Sequence, residues 1–125
     1  MLKLSLLVGL GGFIGSVLRF LTSTFMNKNF PSLFPYGTFT VNVIGCFIIG
    51  VIYTLTEEKE ILSNENRLLL ATGFCGGFTT FSAFSIENLA LLKDGQYLLV
   101  LIYILLSVIT GLLFTYLGTS AGKLF

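Results

Sequence analysis

Uncharged polar side chains recur at helical spacing inside the apolar runs of this sequence. Thr38 and Asn42 are four residues apart, and Tyr103 and Ser107 repeat that spacing later in the chain. Residues at i and i+4 share one face of a helix, so each pair places O–H or N–H donors on a single stripe. Two interpretations are open: the stripes hold neighbouring helices together by hydrogen bonds, or they offer donors to an anion.

A third feature is a polar stretch within an apolar run. Residues 73–84 read GFCGGFTTFSAF, in which three glycines and three hydroxyl residues weaken the helix that the flanking leucines favour. We predict a broken membrane helix, with Gly76-Gly77 and Thr79-Thr80 at the break and a second half beginning near Ser82. Backbone freed at membrane depth is tolerated only inside protein or beside water, so a break indicates a site. The alternative is a glycine pair within a continuous helix.

The freed backbone and the aromatic residues beside it suggest two kinds of ligand. Carbonyl oxygens are the ligands that a small hard cation prefers. Phe78, Phe81 and Phe84 follow one another at intervals of three, and the edges of their rings carry partial positive charge that can contact an anion. The sequence is compatible with an aromatic wall beside an anion path, or with ordinary packing of phenylalanines in a membrane helix.

The elements that position these residues follow from composition. The chain is 54% hydrophobic and 10% charged, with a mean hydropathy of +0.94, which is more apolar surface than a soluble domain of this size can bury. Charged residues leave four uncharged runs near or above the roughly 20 residues that a membrane helix needs. We therefore predict an all-α membrane protein, one domain over residues 1–125 with helices at 3–26, 35–56, 67–92 and 96–120.

The chain lacks the residue patterns that would support several other classes of function. Cys46 and Cys75 have no CxxC spacing, and the sequence contains no histidine, so free thiols are expected and neither a disulfide framework nor a zinc site is supported. The sequence contains no basic patch that would indicate a nucleic-acid partner. It also contains no general base, nucleophile or metal cluster that would indicate an enzyme.

The distribution of basic residues bears on orientation in the membrane. With four spans both termini lie on one side, and the two sides carry nearly equal numbers of basic residues: Lys3, Lys59, Arg67 and Lys123 against Arg19, Lys28 and Lys93. Because the excess of Lys and Arg fixes orientation, a near tie predicts insertion both ways round and pairing of antiparallel copies. A single orientation decided by one or two residues is the alternative.

Small residues indicate where helices approach one another. Glycines form a small-residue surface on the first predicted helix and mark the second: Gly9, Gly11, Gly12 and Gly15, then Gly45 and Gly50. Close backbone approach at such residues is a common way for membrane helices to associate. We assign these glycines packing and no chemistry.

Three motifs together resemble a known family. They are GGFIGSVLRF (Gly11 to Phe20), GTFTVNVIGCFIIG (Gly37 to Gly50) and GFCGGFTTFSAF (Gly73 to Phe84), one on each of the first three helices. In order and spacing they match the Fluc or CrcB fluoride channels, and the match covers nearly the whole chain. The resemblance implies a passive, fluoride-selective channel that exports fluoride across the plasma membrane, the inner membrane of a bacterial cell.

The resemblance also implies an architecture and a set of site residues. The architecture is an antiparallel, dual-topology homodimer with two pores, in which backbone carbonyls of Gly76 and Thr79 hold a structural sodium ion at the break in the third helix. By motif position, the resemblance implies that the fluoride pathway is lined by Phe81, Phe84, Asn42, Thr38, Tyr103 and Ser107. It implies that the vestibule contains Arg19 and Glu87.

Three positions leave questions open. Gly111 stands where some members of the family continue the polar track of the fourth helix with a hydroxyl residue. Arg19 lies roughly 24 Å along its helix from Lys3, close enough to the far interface to act as an anchor instead. Glu87 lies near the end of the third predicted helix, so it has an alternative role too, as a solvated residue at the helix end.

The main rival is a small proton-coupled exporter of organic cations, of the small multidrug resistance type. Such exporters resemble this chain in size, but their coupling relies on a carboxylate in the first helix, and residues 4–26 contain no Asp or Glu. A membrane subunit that transports nothing would account for the glycines but not for a break beside Asn42. Fluoride fits better, because a strongly hydrated anion needs closely spaced donors that do not hold it by fixed charge.

Dual topology is directly testable. We expect reporters fused to the C-terminus to appear on both sides of the membrane, because the basic residues are nearly balanced. Two lysines added to one end loop should shift the distribution towards one side. A strictly one-sided result for the wild-type chain would contradict the antiparallel arrangement.

Overall fold

The structure is a computed structural model that describes residues 1–125, and every regular element in it is helical. Helix α1 spans Leu2–Asn29, and α2 spans Tyr36–Tyr53 and continues as a π-helical turn over Thr54–Glu58. Helix α3 is built from three consecutive segments: Asn64–Arg67, the π-helical Leu68–Cys75, and Gly76–Phe78. Helices α4 and α5 span Phe81–Lys93 and Tyr97–Gly122.

These helices make four segments whose length and composition suffice to cross a membrane. The segments are Leu2–Asn29, Tyr36–Glu58, Asn64–Lys93 and Tyr97–Gly122, of which the third combines α3 and α4. The all-α class and the four membrane helices predicted from the sequence are confirmed. The bounds agree with the predicted ones to within three residues at each end.

Local signals in the loops set where the helices begin and end. Pro35 precedes α2, and the side-chain oxygen of Asn27 accepts a hydrogen bond from the Gly37 amide at 3.1 Å, which satisfies a free donor of the first turn. Ser63 caps α3 by accepting from the Asn66 amide at 3.2 Å. Gly95, with φ +75°, makes the turn between α4 and α5, a conformation that favours glycine.

Glycines allow the helices to pack backbone to backbone. A Cβ atom at Gly15 would collide with the carbonyl oxygen of Phe74, and one at Gly50 would collide with the carbonyl oxygen of Thr115. Helix α1 therefore lies directly against α3, and α2 lies directly against α5. Gly9 has no neighbour within 4 Å, so within the chain it does not belong to the predicted packing surface.

The buried core is thin, and the outer faces of the helices are apolar. Only 19 of the 125 residues are buried, while leucine, isoleucine and phenylalanine side chains lie exposed along α1 and α5. Lipid or a second copy must cover these faces. Of the five tyrosines, Tyr103 alone is buried, and the others are exposed near helix ends, as a membrane interface favours.

The glycine contacts predict which substitutions the fold tolerates. Gly15→Ala should lower the free energy of unfolding by about 1–3 kcal/mol, because the added methyl group forces α1 and α3 apart. Gly9→Ala is the matched control on the same helix, and we expect it to leave stability unchanged or slightly raised. Thermal unfolding in detergent, followed by circular dichroism, measures both. Equal midpoints for the two variants would contradict this packing.

Candidate functional site

The third membrane segment is interrupted by two extended residues. Helix α3 ends at Phe78 and α4 begins at Phe81; between them Thr79 has φ −90° and ψ 160°, and Thr80 has φ −151° and ψ 117°. The Thr80 hydroxyl accepts from the Ala83 amide at 3.1 Å and so caps α4. Gly76 and Gly77 stay helical, so the interruption lies at the threonines and α4 begins one residue before the predicted Ser82.

Asn42 on α2 pairs with the backbone of the interruption in both directions. Its Nδ2 donates to the carbonyl oxygen of Thr80 at 3.1 Å, and its Oδ1 accepts from the Thr80 amide at 2.8 Å. One carboxamide therefore satisfies both polar backbone groups that the extended conformation withdraws from the helical ladder. Asn42 lies at the centre of the site, where the sequence predicted a pathway residue.

Arg19 on α1 contacts the last turn of α3, just before the interruption. Its Nε donates to the carbonyl oxygen of Gly77 at 2.8 Å, and the side chain is half-buried. The one ion pair between side chains joins Lys3 to Glu65, so no side-chain carboxylate neutralises the guanidinium. The side chain is thus directed into the protein at the end of α3.

A second polar cluster connects three helices through Glu87 on α4. One oxygen of Glu87 accepts from the Thr38 hydroxyl at 2.8 Å, and the other accepts from the Tyr103 hydroxyl at 3.2 Å. Tyr103 is fully buried and Thr38 is 6% exposed. The structure brings these three residues together, whereas the sequence placed Glu87 apart from the polar track. The available signal was spacing, because Glu87 continues the three-residue interval of Phe78, Phe81 and Phe84.

The three phenylalanines occupy different environments. The ring centroids of Phe81 and Phe84 are 5.6 Å apart, and those of Phe84 and Tyr103 are 4.9 Å apart, so the rings form a row from the interruption to the Glu87 cluster. Phe81, at the end of this row next to the interruption, is 79% exposed. Phe78 instead is buried and stacks on Phe74, so it packs α3 and takes no part in the row.

The remaining predicted positions on α5 lie beyond the cluster. Ser107 is half-buried one turn after Tyr103, and its hydroxyl has no hydrogen-bond partner. Gly111, a turn further, is buried where an added Cβ would meet the sulfur of Cys46 at 3.4 Å. On α5 the predicted track therefore continues with the free hydroxyl of Ser107 and ends at Gly111, where α5 packs against α2.

A cavity of about 400 Å³ lies beside the interruption and is open to the outside of the chain. Its wall includes Asn42, Gly76, Thr79, Thr80 and Phe81, and carries no charged side chain. Cys46 and Cys75 also line it and are unpaired, which confirms the prediction of free thiols. The cavity thus combines backbone oxygens, one carboxamide and an exposed aromatic ring, with no charged side chain in its wall.

Four membrane-length helical segments around a hydrogen-bonded interruption define a small, multi-pass membrane protein with a polar centre. The chain belongs to the CrcB family, because residues 6–119 match the family described as "CrcB-like protein, Camphor Resistance (CrcB)". The resemblance found in the sequence is therefore confirmed.

Relatives named "Fluoride-specific ion channel FluC" are similar over nearly the full length. The relative from Flavobacterium psychrophilum is 46% identical over 116 residues, which cover 93% of this chain and 94% of the relative. One from Chlorobium phaeobacteroides (strain DSM 266) is 50% identical over 119 residues, 95% of this chain and 92% of the relative. One from Azobacteroides pseudotrichonymphae is 46% identical over 125 residues, the whole of both chains.

The double hydrogen bond of Asn42 predicts a large effect on stability. Asn42→Ala should lower the free energy of unfolding by about 2–4 kcal/mol, because the Thr80 amide and carbonyl both lose their partner. Asn66→Ala, at an exposed asparagine whose side chain makes no hydrogen bond to Thr80, should change it little. Thermal unfolding of both variants in one detergent measures the difference. A loss no larger for Asn42→Ala than for Asn66→Ala would contradict the assigned role.

Proposed function

We propose that the protein is a passive, fluoride-selective channel that exports fluoride across the plasma membrane. The observation that carries the proposal is the row of rings from Phe81 through Phe84 to Tyr103, which begins at the interruption where Asn42 is hydrogen-bonded to Thr80. The similar proteins named as fluoride-specific channels support the same ion. Such a protein catalyses no chemical transformation, in agreement with the absence of an enzyme motif from the sequence.

The chemistry of the row suits a small, strongly hydrated anion. A pathway must replace the water around fluoride with closely spaced donors, and donors without net charge leave the ion free to move on. The carboxamide of Asn42 carries N–H donors, and the rings of Phe81 and Phe84 offer partially positive edges. Ser107, with its unengaged hydroxyl, lies one turn beyond Tyr103 and extends the track on α5.

The Glu87 cluster constrains how hydroxyl groups take part. Each hydroxyl has one proton to donate, and those of Thr38 and Tyr103 are both directed to Glu87. A hydroxyl must therefore leave the carboxylate before it can donate to an anion. We infer that Glu87 acts within the track: it accepts the hydrogen bonds of the Thr38 and Tyr103 hydroxyls, and these hydroxyls turn from Glu87 to the ion as it passes. Arg19 supplies positive charge to a vestibule near Gly77.

We further propose that the functional unit is an antiparallel homodimer with two pores, and that the interruption lies in the middle of the membrane. Helical segments of similar length flank it, Asn64–Phe78 before and Phe81–Lys93 after. Phe81 is exposed in the single chain, and the cavity beside it is open. A second copy would enclose both, which is the arrangement that a narrow pathway in a membrane requires.

We also propose that backbone carbonyls of Gly76 and Thr79 hold a structural sodium ion, and the backbone at the interruption suits that ion. The Thr80 amide donates to Asn42 and not to the Gly76 carbonyl, and the Ala83 amide donates to the Thr80 hydroxyl and not to the Thr79 carbonyl. Gly76 and Thr79 both line the open cavity. Their carbonyl oxygens are the ligands that a small hard cation takes, and a bound cation would neutralise carbonyl dipoles that converge from two copies.

A proton-coupled exporter of organic cations is the alternative function, and the structure gives it little support. Helix α1, Leu2–Asn29, contains no acidic residue that could exchange a proton. The one carboxylate inside the bundle, that of Glu87, lies on α4 and accepts two hydrogen bonds from within the chain. The site therefore offers no free acid to couple export to protons.

Isoleucine substitutions test the aromatic row. Phe81→Ile and Phe84→Ile keep apolar bulk but remove the ring edge, so for at least one of them we expect fluoride flux to be almost abolished in a protein that still assembles as a dimer. Purified protein in fluoride-loaded liposomes, read with a fluoride electrode, measures the flux. Size-exclusion elution of the same samples measures assembly.

Phe78→Ile is the matched control on α3. Because Phe78 is buried against Phe74, its replacement should reduce stability and leave fluoride flux intact. Wild-type flux through both Phe81→Ile and Phe84→Ile would show that these rings pack the structure and do not border the pathway.

A further inference from the structure

Tyr103 is held between two aromatic rings, one of which belongs to the loop between α1 and α2. The ring of Phe34 meets it edge to face, with centroids 5.2 Å apart and planes at 71°. On another side the ring of Phe84 lies 4.9 Å away, tilted by 56°. These contacts accompany the complete burial of Tyr103. Phe34 therefore lies next to the Glu87 cluster, although its loop carries no predicted site residue.

The loop holds Phe34 firmly in this position. The Phe34 amide donates to the Ser32 hydroxyl at 3.1 Å, and the Phe34 carbonyl accepts from the Tyr36 amide at 2.9 Å. The Phe34 ring also packs against Tyr36 and Phe39, at 4.9 Å and 5.5 Å. Its neighbour Leu33 is 64% exposed, so the loop directs one large side chain inward and the adjacent one outward.

The hydrogen bond that depends on Tyr103 is sensitive to the orientation of its ring. The hydroxyl lies 3.2 Å from Glu87, longer than the roughly 2.7–2.8 Å typical of an O–H···O bond. Because the hydroxyl is at the far end of the ring, a small tilt of the ring would carry it out of reach. The two rings that flank Tyr103 limit that tilt.

We propose that Phe34 is a positioning residue for the Glu87 cluster. It holds the Tyr103 ring so that the hydroxyl reaches Glu87. Because its ring packs on Tyr103 and on Phe39, the neighbour of the buried Thr38, it also shields Thr38 from water. Phe34 acts through Tyr103 and does not contact the ion. The inference rests on the proposed function only in assigning a consequence for transport.

The transport test is a double-mutant cycle measured as fluoride efflux from liposomes. Phe34→Ala should reduce flux several-fold in the wild-type background and cause no further loss in a Tyr103→Phe background, because the hydroxyl to be positioned is then absent. Phe34→Trp, which restores an aromatic ring, should keep most of the flux. Leu33→Ala is the matched control in the same loop and should behave as wild type.

A second measurement does not depend on fluoride. Thr38→Cys, in a chain with Cys46→Ala and Cys75→Ala, provides a single thiol for a charged, water-soluble thiol reagent. Labelling should be several-fold faster when Phe34→Ala is added and unchanged when Leu33→Ala is added. If Phe34→Ala fails to elute as the assembled protein, Phe34→Leu, which retains more apolar bulk, replaces it in the same labelling measurement with the same expected result.

The two measurements separate the positioning role from the proposed function. Absence of fluoride flux through the wild-type protein would overturn the channel, and the labelling rates would still decide the role of Phe34. An unchanged labelling rate, or losses of flux from Phe34→Ala and Tyr103→Phe that add independently, would overturn the positioning role itself.

Discussion

The structure depends on how the polar backbone groups at the interruption are satisfied. Thr79 and Thr80 are extended, so helical hydrogen bonds are lost within a segment that is long and apolar enough to cross a membrane. A buried backbone group without a partner costs about 1–3 kcal/mol, and more where no water can reach it. The carboxamide of Asn42 meets this requirement for Thr80, and Arg19 meets it for Gly77.

The packing of the helices serves the same requirement. Asn42 reaches Thr80 only because α2 approaches the interruption closely, and a Cβ atom on Gly45, one turn along, would collide with the Thr79 side chain. Arg19 reaches Gly77 because Gly15, one turn before it, lets α1 lie on the backbone of α3. The glycines to which the sequence analysis assigned packing alone thus set the distances over which polar side chains reach the backbone around the interruption.

Much of this could be predicted from the sequence, because it follows from local patterns. Long uncharged runs define the four helices, and the threonines of residues 73–84 mark the interruption, whereas Gly76 and Gly77, also predicted to lie at the break, stay helical. The partners across helices could not be predicted this way. The hydrogen bond from Arg19 to Gly77 joins residues 58 apart, and that from Thr38 to Glu87 joins residues 49 apart. Such pairs depend on the rotation of each helix about its axis, which the spacing within one helix does not determine.

The most direct test of the account is a comparison of ion efflux from liposomes that contain the purified wild-type protein. Liposomes loaded with fluoride or with chloride are diluted into medium without either ion and without a proton gradient, and the lost ion is followed by a selective electrode. An uncharged row of donors and ring edges predicts rapid fluoride efflux and little chloride efflux. Comparable efflux of the two anions, or export of an organic cation driven by a proton gradient in place of fluoride efflux, would contradict it.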